Sequence, residues 1–396
     1  MKKVLVLPEV YSDVNIWWSL SIVKKMYDLD RYHFDFIEKK WNVTYWKTAV
    51  NWIGNIWDTL LMKIVRFVVK KVTSLPISLY SIYLVFFNLK KIRKYKITKY
   101  EYIISHDLIM SFAIIFFYKN IKVINVYHWQ WSLYYEHTKL LGYKKSFILK
   151  SILNGIENYV YKHAYKIWFP SNWACEALLQ THPGIKKIID NRKDQIKILY
   201  NSVDIKTETK HNINIESNLI SDWFNFVSIW AINHAKWIDR IVPFLKSLKN
   251  HWIKFKWILI WREWDCSNIL KKSITTLGLN DDVFLYEQWI PKTEIYWLLS
   301  KTDFYIMFQR YSIFDLSTLE AMYLWNVPVL SNVWGNKEVI FDNNWLLLDE
   351  DSLHNSASFL DFIKQNKIED LRQKNKEIVK KHFFDDNFIK WYVDLF

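Results

Sequence analysis

Two acidic side chains in the second half of the chain, Asp315 and Glu320, flank the first turn of a predicted helix. The amides of that turn suit the binding of an anion, and the carboxylate of Glu320 suits the binding of hydroxyl groups. Asp315, within YSIFDLSTLEAM (311–322), precedes a helical pattern in the way that a helix N-cap residue does. The first turn of that helix would contain Leu316, Ser317 and Thr318. Backbone amides at a helix N-terminus bind phosphate readily. Glu320 carries a carboxylate that can accept hydrogen bonds from two hydroxyls.

Two histidines directly follow apolar runs that predict strands. His106 comes after YIIS (102–105), and His128 comes after KVINVY (122–127). In an open parallel sheet, ligands bind at the carboxyl ends of the strands. We therefore expect His128 to lie at a binding site, and His106 is a second candidate of the same kind. The alternative for either residue is a structural role.

Several other kinds of site find no support in the sequence. No nucleophile-elbow motif of a serine hydrolase is present, and no second carboxylate pairs with Glu320 as in a glycosidase. The two cysteines, Cys175 and Cys266, are too few for a disulfide framework or a zinc site. We therefore expect a reducing, cytoplasmic setting and no metal.

The chain is basic, and the basic residues are concentrated in one segment. There are 54 Lys and Arg residues against 40 Asp and Glu, a formal charge of +14, which favours anionic partners. Segment 62–99 contains no acidic residue and interleaves lysines with apolar stretches such as 75–87. This pattern suits adsorption to an anionic membrane surface, although an ordinary helix pair with a solvated basic face would also produce it. No nucleic-acid-binding motif accompanies the charge, so we expect no nucleic-acid partner.

Strand and helix patterns alternate along both halves of the chain. The runs that predict strands are 3–8, 33–37, 102–105, 122–128, 166–171, 196–201, 224–230, 255–261, 282–288, 303–308 and 327–331. Helical patterns such as 239–250 and 293–302 lie between them. This alternation predicts an α/β fold of two Rossmann-like domains with parallel sheets. The predicted domains are 1–203 and 204–379, with the final segment 380–396 returning to the first.

Glycine and tryptophan are present in unusual numbers. The chain has 6 glycines and 23 tryptophans. Average usage of about 7% would predict about 28 glycines in this length. The two counts together amount to 29, close to that expectation.

The motifs of the second half resemble the donor domain of family 4 glycosyltransferases, which have the two-domain GT-B fold. They are SIWAINHAKWIDR (228–240), WILIWREWD (257–265), LYEQWIP (285–291), TLEAMYLWNVPVL (318–330) and NVWGNKEVIFDNNWLLL (332–348). The first half adds VYHW (126–129), PSN (170–172) and YNSVD (200–204). The resemblance implies two domains that face a cleft. It also implies retaining transfer from a nucleotide-sugar donor, without metal, to a glycan or lipid-linked acceptor.

The resemblance also implies roles for individual residues at the donor site. Glu320 would bind the donor ribose, and Lys236 would neutralise the diphosphate. Ile290 lies in the segment expected to cradle the nucleobase. Arg262 could compensate for a family arginine that is replaced here by Ala231.

Five further residues bear on the donor or the acceptor in the family that this chain resembles. Trp17 and Trp18 occupy the glycine loop after the first strand, which approaches the phosphates. Ser312 stands where the family places a glutamate on the donor sugar, and this change leaves the sugar open. Asp315 could reach the same region, and capping is its simpler role. His128 would act on the acceptor side.

Tryptophan stands where this family has glycine at many positions. They are Trp17, Trp18, Trp129, Trp230, Trp237, Trp261, Trp289, Trp325, Trp334 and Trp345, and we expect the same of Trp131, Trp173, Trp264 and Trp297. We hypothesise that the gene comes from a lineage that decodes UGA as glycine. Its conceptual translation would then have used a codon table that decodes UGA as tryptophan. Trp391 is the best candidate for a genuine tryptophan. The alternative is a tryptophan-rich protein whose indoles stack on sugars.

These observations lead to one functional interpretation and two alternatives. We expect a cytoplasmic glycosyltransferase, peripheral at the inner face of a membrane, that acts in surface polysaccharide or glycolipid assembly. The replacements at Ser312 and Ala231 also permit an inactive protein of the same fold that only binds sugar nucleotides or carbohydrates. A sugar-nucleotide epimerase of the same fold is the second alternative.

Overall fold

The structure, a computed structural model, describes most of the chain from Ile97 onward and two short strands before it. The described residues are 4–7, 34–36, 97–129, 131–139, 145, 147–203, 205, 210, 213–229, 238–260, 267–288, 290–312, 314–339 and 344–384. The chain divides into two compact units, Met1–Leu199 and Tyr200–Phe396, called unit 1 and unit 2 below. Most of the basic segment 62–99 and the final residues 385–396 lie outside the described residues, so the predictions for them stay predictions.

In its described part, unit 1 is a parallel sheet flanked by helices. The strands are β1 (Val4–Leu7), β2 (Phe34–Phe36), β3 (Tyr102–Ser105), β4 (Lys122–Val126), β5 (Lys166–Phe169) and β6 (Ile196–Ile198). The helices are α1 (Leu108–Phe117), α2 (Leu133–Lys139), α3 (Phe147–His163), α4 (Asn172–Thr181) and α5 (Lys186–Asp190). The strand order is β2-β1-β3-β4-β5-β6, and every pairing is parallel.

Unit 2 contains a second parallel sheet of the same kind. Its strands are β7 (Phe224–Ile229), β8 (Phe255–Ile260), β9 (Val283–Tyr286), β10 (Phe304–Met307), β11 (Val327–Ser331) and β12 (Leu346–Leu348). Its helices are α6 (Ile213–Glu216), α7 (Ile238–Asn250), α8 (Ser267–Thr276), α9 (Lys292–Leu299), α10 (Leu316–Tyr323), α11 (Trp334–Lys337), α12 (Ala357–Gln365) and α13 (Ile368–Phe383). The order β12-β11-β10-β7-β8-β9 is that of the dinucleotide-binding fold, with β7 as its first strand.

The strands of unit 2 are apolar on both faces because helices cover both faces of the sheet. Alternate residues of β7 and β10 enter two separate cores: Phe226 and Phe304 pack in one, and Val227 and Tyr305 pack in the other. Phe359 of α12 closes the first core against these phenylalanines. A strand buried on both faces reads as a continuous apolar run, which is why the sequence pattern located these strands. The α/β prediction with two parallel sheets is confirmed.

The end of helix α8 shows which backbone geometry closes helices in unit 2. Gly278 follows α8 with φ +65°, and the amide of Leu279 donates to the carbonyl of Ile274 at 3.0 Å. This bond between residues five apart, with a left-handed residue just before its donor, is the Schellman motif. Glycine is the usual residue there because a Cβ atom clashes in the left-handed region.

Two tryptophans occupy the equivalent position at other helix ends. Trp252 follows α7 with φ +61°, and the amide of Ile253 donates to the carbonyl of Leu248 at 3.2 Å. Trp325 follows α10 with φ +74°, and the amide of Asn326 donates to the carbonyl of Ala321 at 3.0 Å. Among the described residues, these are the non-glycine residues with positive φ. Trp325 was expected at a glycine position, whereas Trp252 was not recognised as one from the sequence.

We predict that replacing Trp252 with glycine stabilises the protein more than replacing it with alanine. The Trp252 side chain is 90% exposed, so its removal costs little packing, and only glycine relieves the left-handed backbone. The glycine variant should exceed the alanine variant by about 1 kcal/mol in the free energy of unfolding, measured by denaturant titration. The matched control is Gly278→Ala, whose new Cβ would meet no atom within 4 Å, and which should lose a similar amount. Equal stability of W252G and W252A would contradict the prediction.

Candidate functional site

The strand order of unit 2 brings the predicted donor-site loops to one place. The chain leaves β7 toward β8 on one side, whereas β10 begins the other side of the sheet, so the order reverses between β7 and β10. Ligands of open α/β sheets bind at the carboxyl ends of the strands at such a reversal. Lys236, between β7 and α7 in the sequence, lies outside the described residues. The loop after β10 leads through Ser312 to Asp315 and helix α10.

Asp315 occupies the N-cap position of α10, but its side chain does not cap the helix. Its carboxylate instead accepts hydrogen bonds from three side chains. Gln309 Nε2 donates at 2.9 Å, Ser317 Oγ at 3.1 Å and Thr318 Oγ1 at 2.9 Å. The expectation of a capping side chain is therefore wrong, because the neighbouring hydroxyls and amide compete successfully for the carboxylate.

The consequence for α10 concerns its first turn. Since the Asp315 side chain does not satisfy these amides, the helix N-terminus keeps its capacity for an anion. Ser317 and Thr318 are buried, whereas Leu316 is partly exposed. Tyr305 of β10 extends the polar network, with its hydroxyl 2.9 Å from Ser317 Oγ.

The loop between β10 and α10 is joined to the neighbouring strand β11 at two points. Ser331 Oγ, at the end of β11, donates to the carbonyl of Gln309 at 2.7 Å. The amide of Gly335 donates to the carbonyl of Ser312 at 2.7 Å. Asn336 Nδ2 then donates to the carbonyl of Ser331 at 2.8 Å. These bonds hold the loop at the carboxyl edge of the sheet, with Ser312 only 5% exposed.

Glu320 lies on α10 and is engaged by two residues of α9. Lys292 Nζ is 2.7 Å from Glu320 Oε1, and the hydroxyl of Tyr296 donates to the same oxygen at 3.2 Å. The ammonium of Lys292 also lies 5.1 Å from the centre of the Tyr296 ring. Ile290, just before α9, is buried in the same core as Tyr296. Two side chains of α9 thus orient the carboxylate of Glu320, which remains partly exposed.

In unit 1, His106 and His128 meet at the carboxyl ends of adjacent strands. His106 Nδ1 lies 2.5 Å from His128 Nε2, and the two side chains are 1% and 4% exposed. Burial lowers the pKa of His128 to about 3. Burial, and next the neighbouring His128, lower the pKa of His106 well below its usual value. Both imidazoles are therefore neutral at physiological pH.

Each histidine stands on a loop that buried hydrogen bonds hold in place. Asp107 caps α1 by accepting from the amide of Met110 at 2.6 Å, and its carbonyl accepts from Ser105 Oγ and Ser111 Oγ, each at 2.9 Å. Asn125 of β4 donates to Ser111 Oγ at 2.9 Å, which ties the His106 loop to the neighbouring strand. The order of the sheet reverses between β1 and β3, so His106 follows a strand at the reversal point of unit 1.

Hydrogen bonds and the contact between Glu157 and His182 hold the loop that carries His128 and the start of the helix that follows it. Tyr127 donates its hydroxyl proton to the carbonyl of Trp131 at 2.6 Å, which closes the loop on itself. Glu157 of α3, fully buried, accepts from the amide of Leu133 at 3.2 Å and lies 2.9 Å from His182 Nδ1. Burial raises the pKa of Glu157, and the contact with His182 opposes this shift.

The predicted site residues separate into those that the structure places and those that it does not. Trp17, Trp18, Lys236 and Arg262 lie outside the described residues, and their roles stay predictions. Sequence reasoning missed the partners Gln309, Lys292, Tyr296 and Glu157. Apart from its position at the start of an expected helix, Lys292 gave no signal, since its contact with Glu320 depends on the packing of α9 against α10.

Solved structures of known proteins share this architecture. HepE from Anabaena in complex with UDP matches with a TM-score of 0.65 and 13% identity, covering 99% of each chain. A glycosyltransferase from Rickettsia africae matches with a TM-score of 0.62 and 13% identity, covering 100% of this chain and 97% of that one. The fold is GT-B.

A third GT-B structure is also similar to this chain, whereas two sequence comparisons found no match. Sucrose-phosphate synthase from Thermosynechococcus elongatus matches with a TM-score of 0.59 and 13% identity, covering 79% of this chain and 76% of that one. No protein-family model and no curated protein sequence matches this chain. At 13% identity the likeness establishes the GT-B fold and leaves the activity to the site. None of the described helices is both long and apolar enough to span a bilayer.

We predict that the buried histidines make the protein less stable in mild acid. Their folded-state pKa values lie below the unfolded value of about 6.5, so the unfolded chain binds more protons as the pH falls. From pH 6 to pH 5 the two groups together should lower the free energy of unfolding by about 2 kcal/mol. Denaturant titrations at both pH values measure this loss.

The variant that carries both His106→Gln and His128→Gln should lose correspondingly less stability over this pH range. Replacement of the exposed His354 by glutamine is the control and should leave the loss unchanged. Comparison with wild type removes the contribution of Glu157, whose raised pKa acts in the opposite direction. If the double variant shows the wild-type slope, the histidines are not buried as neutral groups.

Proposed function

We propose that the protein is a glycosyltransferase that moves a sugar from a nucleotide-sugar donor to a glycan or lipid-linked acceptor. The observation that carries the proposal is the first turn of α10, which the Asp315 side chain does not cap, at the reversal point of the unit 2 sheet. Glu320 follows it on the same helix. An anion-binding helix end beside a carboxylate fits a ligand that combines a diphosphate with ribose hydroxyls.

The donor would be held by unit 2 through three kinds of contact. The amides of Leu316, Ser317 and Thr318 would bind the diphosphate. Glu320 would accept hydrogen bonds from the ribose hydroxyls, with Lys292 and Tyr296 keeping its carboxylate in place. Among the predicted residues outside the described part, Lys236 and Arg262 would add positive charge at the phosphates. Trp17 and Trp18, which belong to unit 1, would lie on the loop that approaches them. Ile290 of unit 2 would border the base.

We propose a retaining reaction that uses the donor's own phosphate as the base. The bond from the anomeric carbon to the phosphate oxygen breaks, and a bond from the same carbon to the acceptor oxygen forms on the same face. The acceptor hydroxyl gives its proton to the departing phosphate, so the protein needs to supply positioning and charge stabilisation rather than a nucleophile or a metal. The neutral histidines of unit 1 are compatible with this role, since neither takes a proton readily.

Structural neighbours suggest which donors to try first. HepE has been solved with UDP-glucose, and the pneumococcal O-GlcNAc transferase GtfA has been solved with UDP and GlcNAc. For this chain we propose a UDP-sugar, with the sugar left to a screen because Ser312 stands in the sugar-binding loop. We also propose a cytoplasmic setting at the inner face of a membrane, reached through segment 62–99, and a place in surface polysaccharide or glycolipid assembly.

We further propose that the tryptophans at turn positions are glycines in the protein that the cell makes. Support comes from Trp252 and Trp325, which have the same left-handed backbone and the same five-residue hydrogen bond as Gly278. A tryptophan-specific function such as sugar stacking gives no reason for indoles to occupy helix C-termini, and Trp252 is exposed to solvent. A gene that reads UGA as glycine accounts for all of these positions.

We predict that the gene has UGA at Trp237, Trp252, Trp261 and Trp325, and GGN codons at Gly54 and Gly335. Nucleotide sequencing of the gene tests both sets of codons. Mass spectrometry of peptides from the native protein tests the residues themselves, and should find glycine at the UGA positions. UGG codons at these tryptophans would overturn the hypothesis, regardless of the backbone geometry.

We predict that the protein with glycine restored at these positions transfers sugar from a UDP-sugar, and that Glu320→Ala raises the KM for the donor about 10- to 100-fold. Loss of hydrogen bonds to a charged group is worth about 1.5–3 kcal/mol, which sets this range. A screen of UDP-glucose and UDP-N-acetylglucosamine with release of UDP as the readout measures it. Glu350→Ala, at an exposed glutamate that pairs with Arg240, is the matched control.

Other outcomes of the same screen identify the alternative functions. Binding of UDP-sugars without turnover, under conditions that include candidate glycan and lipid acceptors, would favour the binding protein that Ser312 makes conceivable. Appearance of an isomeric UDP-sugar without any acceptor would favour the epimerase. No change in donor binding on Glu320→Ala would overturn the assignment of the donor site itself.

A further inference from the structure

The outer side of two helices of unit 1 exposes large apolar side chains. Phe147, the first residue of α3, is 83% exposed, and Ile148 beside it is about half exposed. Phe116 and Phe117, at the end of α1, are also about half exposed. Helix α1 contains no charged residue, and a helix that is apolar on all sides is normally buried. These side chains therefore need a cover that the described residues do not provide.

The exposed side chains of the two helices belong to one continuous surface. Helices α1 and α3 pack side by side, and the ring centre of Tyr159 in α3 lies 5.3 Å from that of Phe112 and 5.9 Å from that of Phe116. Ile148, Ile152 and Tyr159 share one side of α3 because their spacings are those of a single helix face. We call this surface the apolar face. It consists of the four exposed residues together with Phe112, Ile152 and Tyr159.

The exposed charged groups that the structure describes around the apolar face are positive. From the start of α1 to the end of α3, residues 108–163, the acidic residues of the sequence are Glu136 and Glu157, and both are buried. Glu101, before this range, pairs with Lys122. The exposed lysines that follow α1 or lie near the two ends of α3 are Lys119, Lys122, Lys145, Lys150 and Lys162. The face thus combines apolar side chains with a positive rim.

An anionic lipid bilayer fits this combination of groups. Phenylalanine and other apolar side chains enter the boundary between headgroups and acyl chains, and lysines are attracted to anionic headgroups. A second copy of the chain would bring the same lysines against this face, and like charges in contact oppose association. Segment 62–99 contains no acidic residue, so it offers no counter-charge for the lysines. Among these three occupants, anionic lipid is the one with complementary charge.

The course of α3 places part of the apolar face at the carboxyl edge of the unit 1 sheet. Helix α3 ends at His163, shortly before β5 begins at Lys166, so this end of the helix lies at the amino edge. A helix of 17 residues is about 25 Å long, which is enough to cross the sheet. Phe147 and Ile148 therefore lie near the carboxyl edge, the edge that also carries His128. Docking of this face would bring the predicted acceptor side of unit 1 close to lipid.

We propose that the apolar face docks unit 1 on an anionic lipid bilayer. Phe147 and Ile148 enter the bilayer at the level of the headgroups, and the lysines of the rim contact the lipid phosphates. This surface is distinct from segment 62–99, for which the sequence alone predicts membrane contact. The membrane setting rests on the proposed function, and docking through this face favours a lipid-linked acceptor over a free glycan.

Vesicle binding by the full-length chain tests the proposal. Sedimentation with vesicles of phosphatidylcholine, with and without phosphatidylglycerol, measures the partition coefficient. We expect binding to the vesicles that contain phosphatidylglycerol. The variant with both Phe147→Ser and Ile148→Ser should bind them about 10- to 100-fold more weakly, because two large apolar side chains no longer leave water. Ile269→Ser, at an exposed apolar residue on α8 of unit 2, is the matched control and should leave vesicle binding unchanged.

A lysine of the rim separates the electrostatic part of docking from the apolar part. Lys150→Gln should weaken binding to vesicles with phosphatidylglycerol about fivefold and leave binding to pure phosphatidylcholine unchanged. Lys272→Gln, at an exposed lysine on α8 of unit 2, is the control. Equal effects of the two substitutions would contradict the proposal, since they would show that net charge matters and the position of the lysine does not.

Other outcomes identify other occupants of the apolar face, and each of them overturns the proposal. Wild-type vesicle binding by the Phe147 and Ile148 double variant would show that binding runs through another surface, such as segment 62–99. A loss of thermal stability in that variant, with vesicle binding unchanged, would show that the chain itself covers the face. A change from dimer to monomer in sedimentation velocity would show that a second copy covers it.

UDP binding distinguishes failure of this inference from failure of the proposed function. Calorimetry without vesicles should give the same affinity for UDP in the wild type and in all of these variants, because the substituted residues lie outside the proposed donor site. Absence of UDP binding by the wild type would refute the donor site and leave the vesicle result standing. Normal UDP binding together with no vesicle binding would refute the docking surface alone.

Discussion

The site depends on the constraint that parallel strands joined by helical crossovers present all their carboxyl ends at one edge of a sheet. In unit 2 this edge gathers the loop after β10, the start of α9 and the turn after β11, although these are far apart in sequence. The order reverses between β7 and β10, and ligands of open α/β sheets bind at such a reversal. Hydrogen bonds from Ser331 and Gly335 fix the β10 loop at this edge of the sheet.

Strands such as β3, β10 and β11 were predictable because they are buried on both faces and therefore read as unbroken apolar runs. YIIS and VPVLS coincide with β3 and β11 to the residue. The strand β12, Leu346–Leu348, lies outside the runs that predict strands. Positions of Asp315 and Glu320 on α10 followed from the motif that contains them. Their partners did not, since the contacts with Gln309 and Lys292 depend on tertiary packing and on competition among donors, neither of which local spacing records.

The helix ends show a second limit of sequence reasoning, and here the structure adds information. Trp325 was predicted at a glycine position because it lies within a recognisable motif, whereas Trp252 lies outside any motif. Both have the backbone geometry of Gly278, because a helix that stops abruptly needs a left-handed residue to satisfy its last carbonyls. This requirement comes from backbone hydrogen bonding and does not depend on which residue type the sequence gives at that position. Backbone geometry therefore identifies positions that favour glycine and that motif comparison overlooks.

The two units differ in their electrostatics in a way that suits a reaction without a protein base. Unit 2 combines a helix N-terminus that suits an anion with a carboxylate that Lys292 compensates, and this combination fits the proposed ligand with phosphate and hydroxyl groups. Unit 1 presents two imidazoles that burial keeps neutral. A base poised near neutral pH would be exposed or paired with a carboxylate, and the carboxylate of Glu157 is paired with His182 instead. Under the proposed function the proton of the acceptor would go to the donor's phosphate, so neither imidazole would have to act as a base.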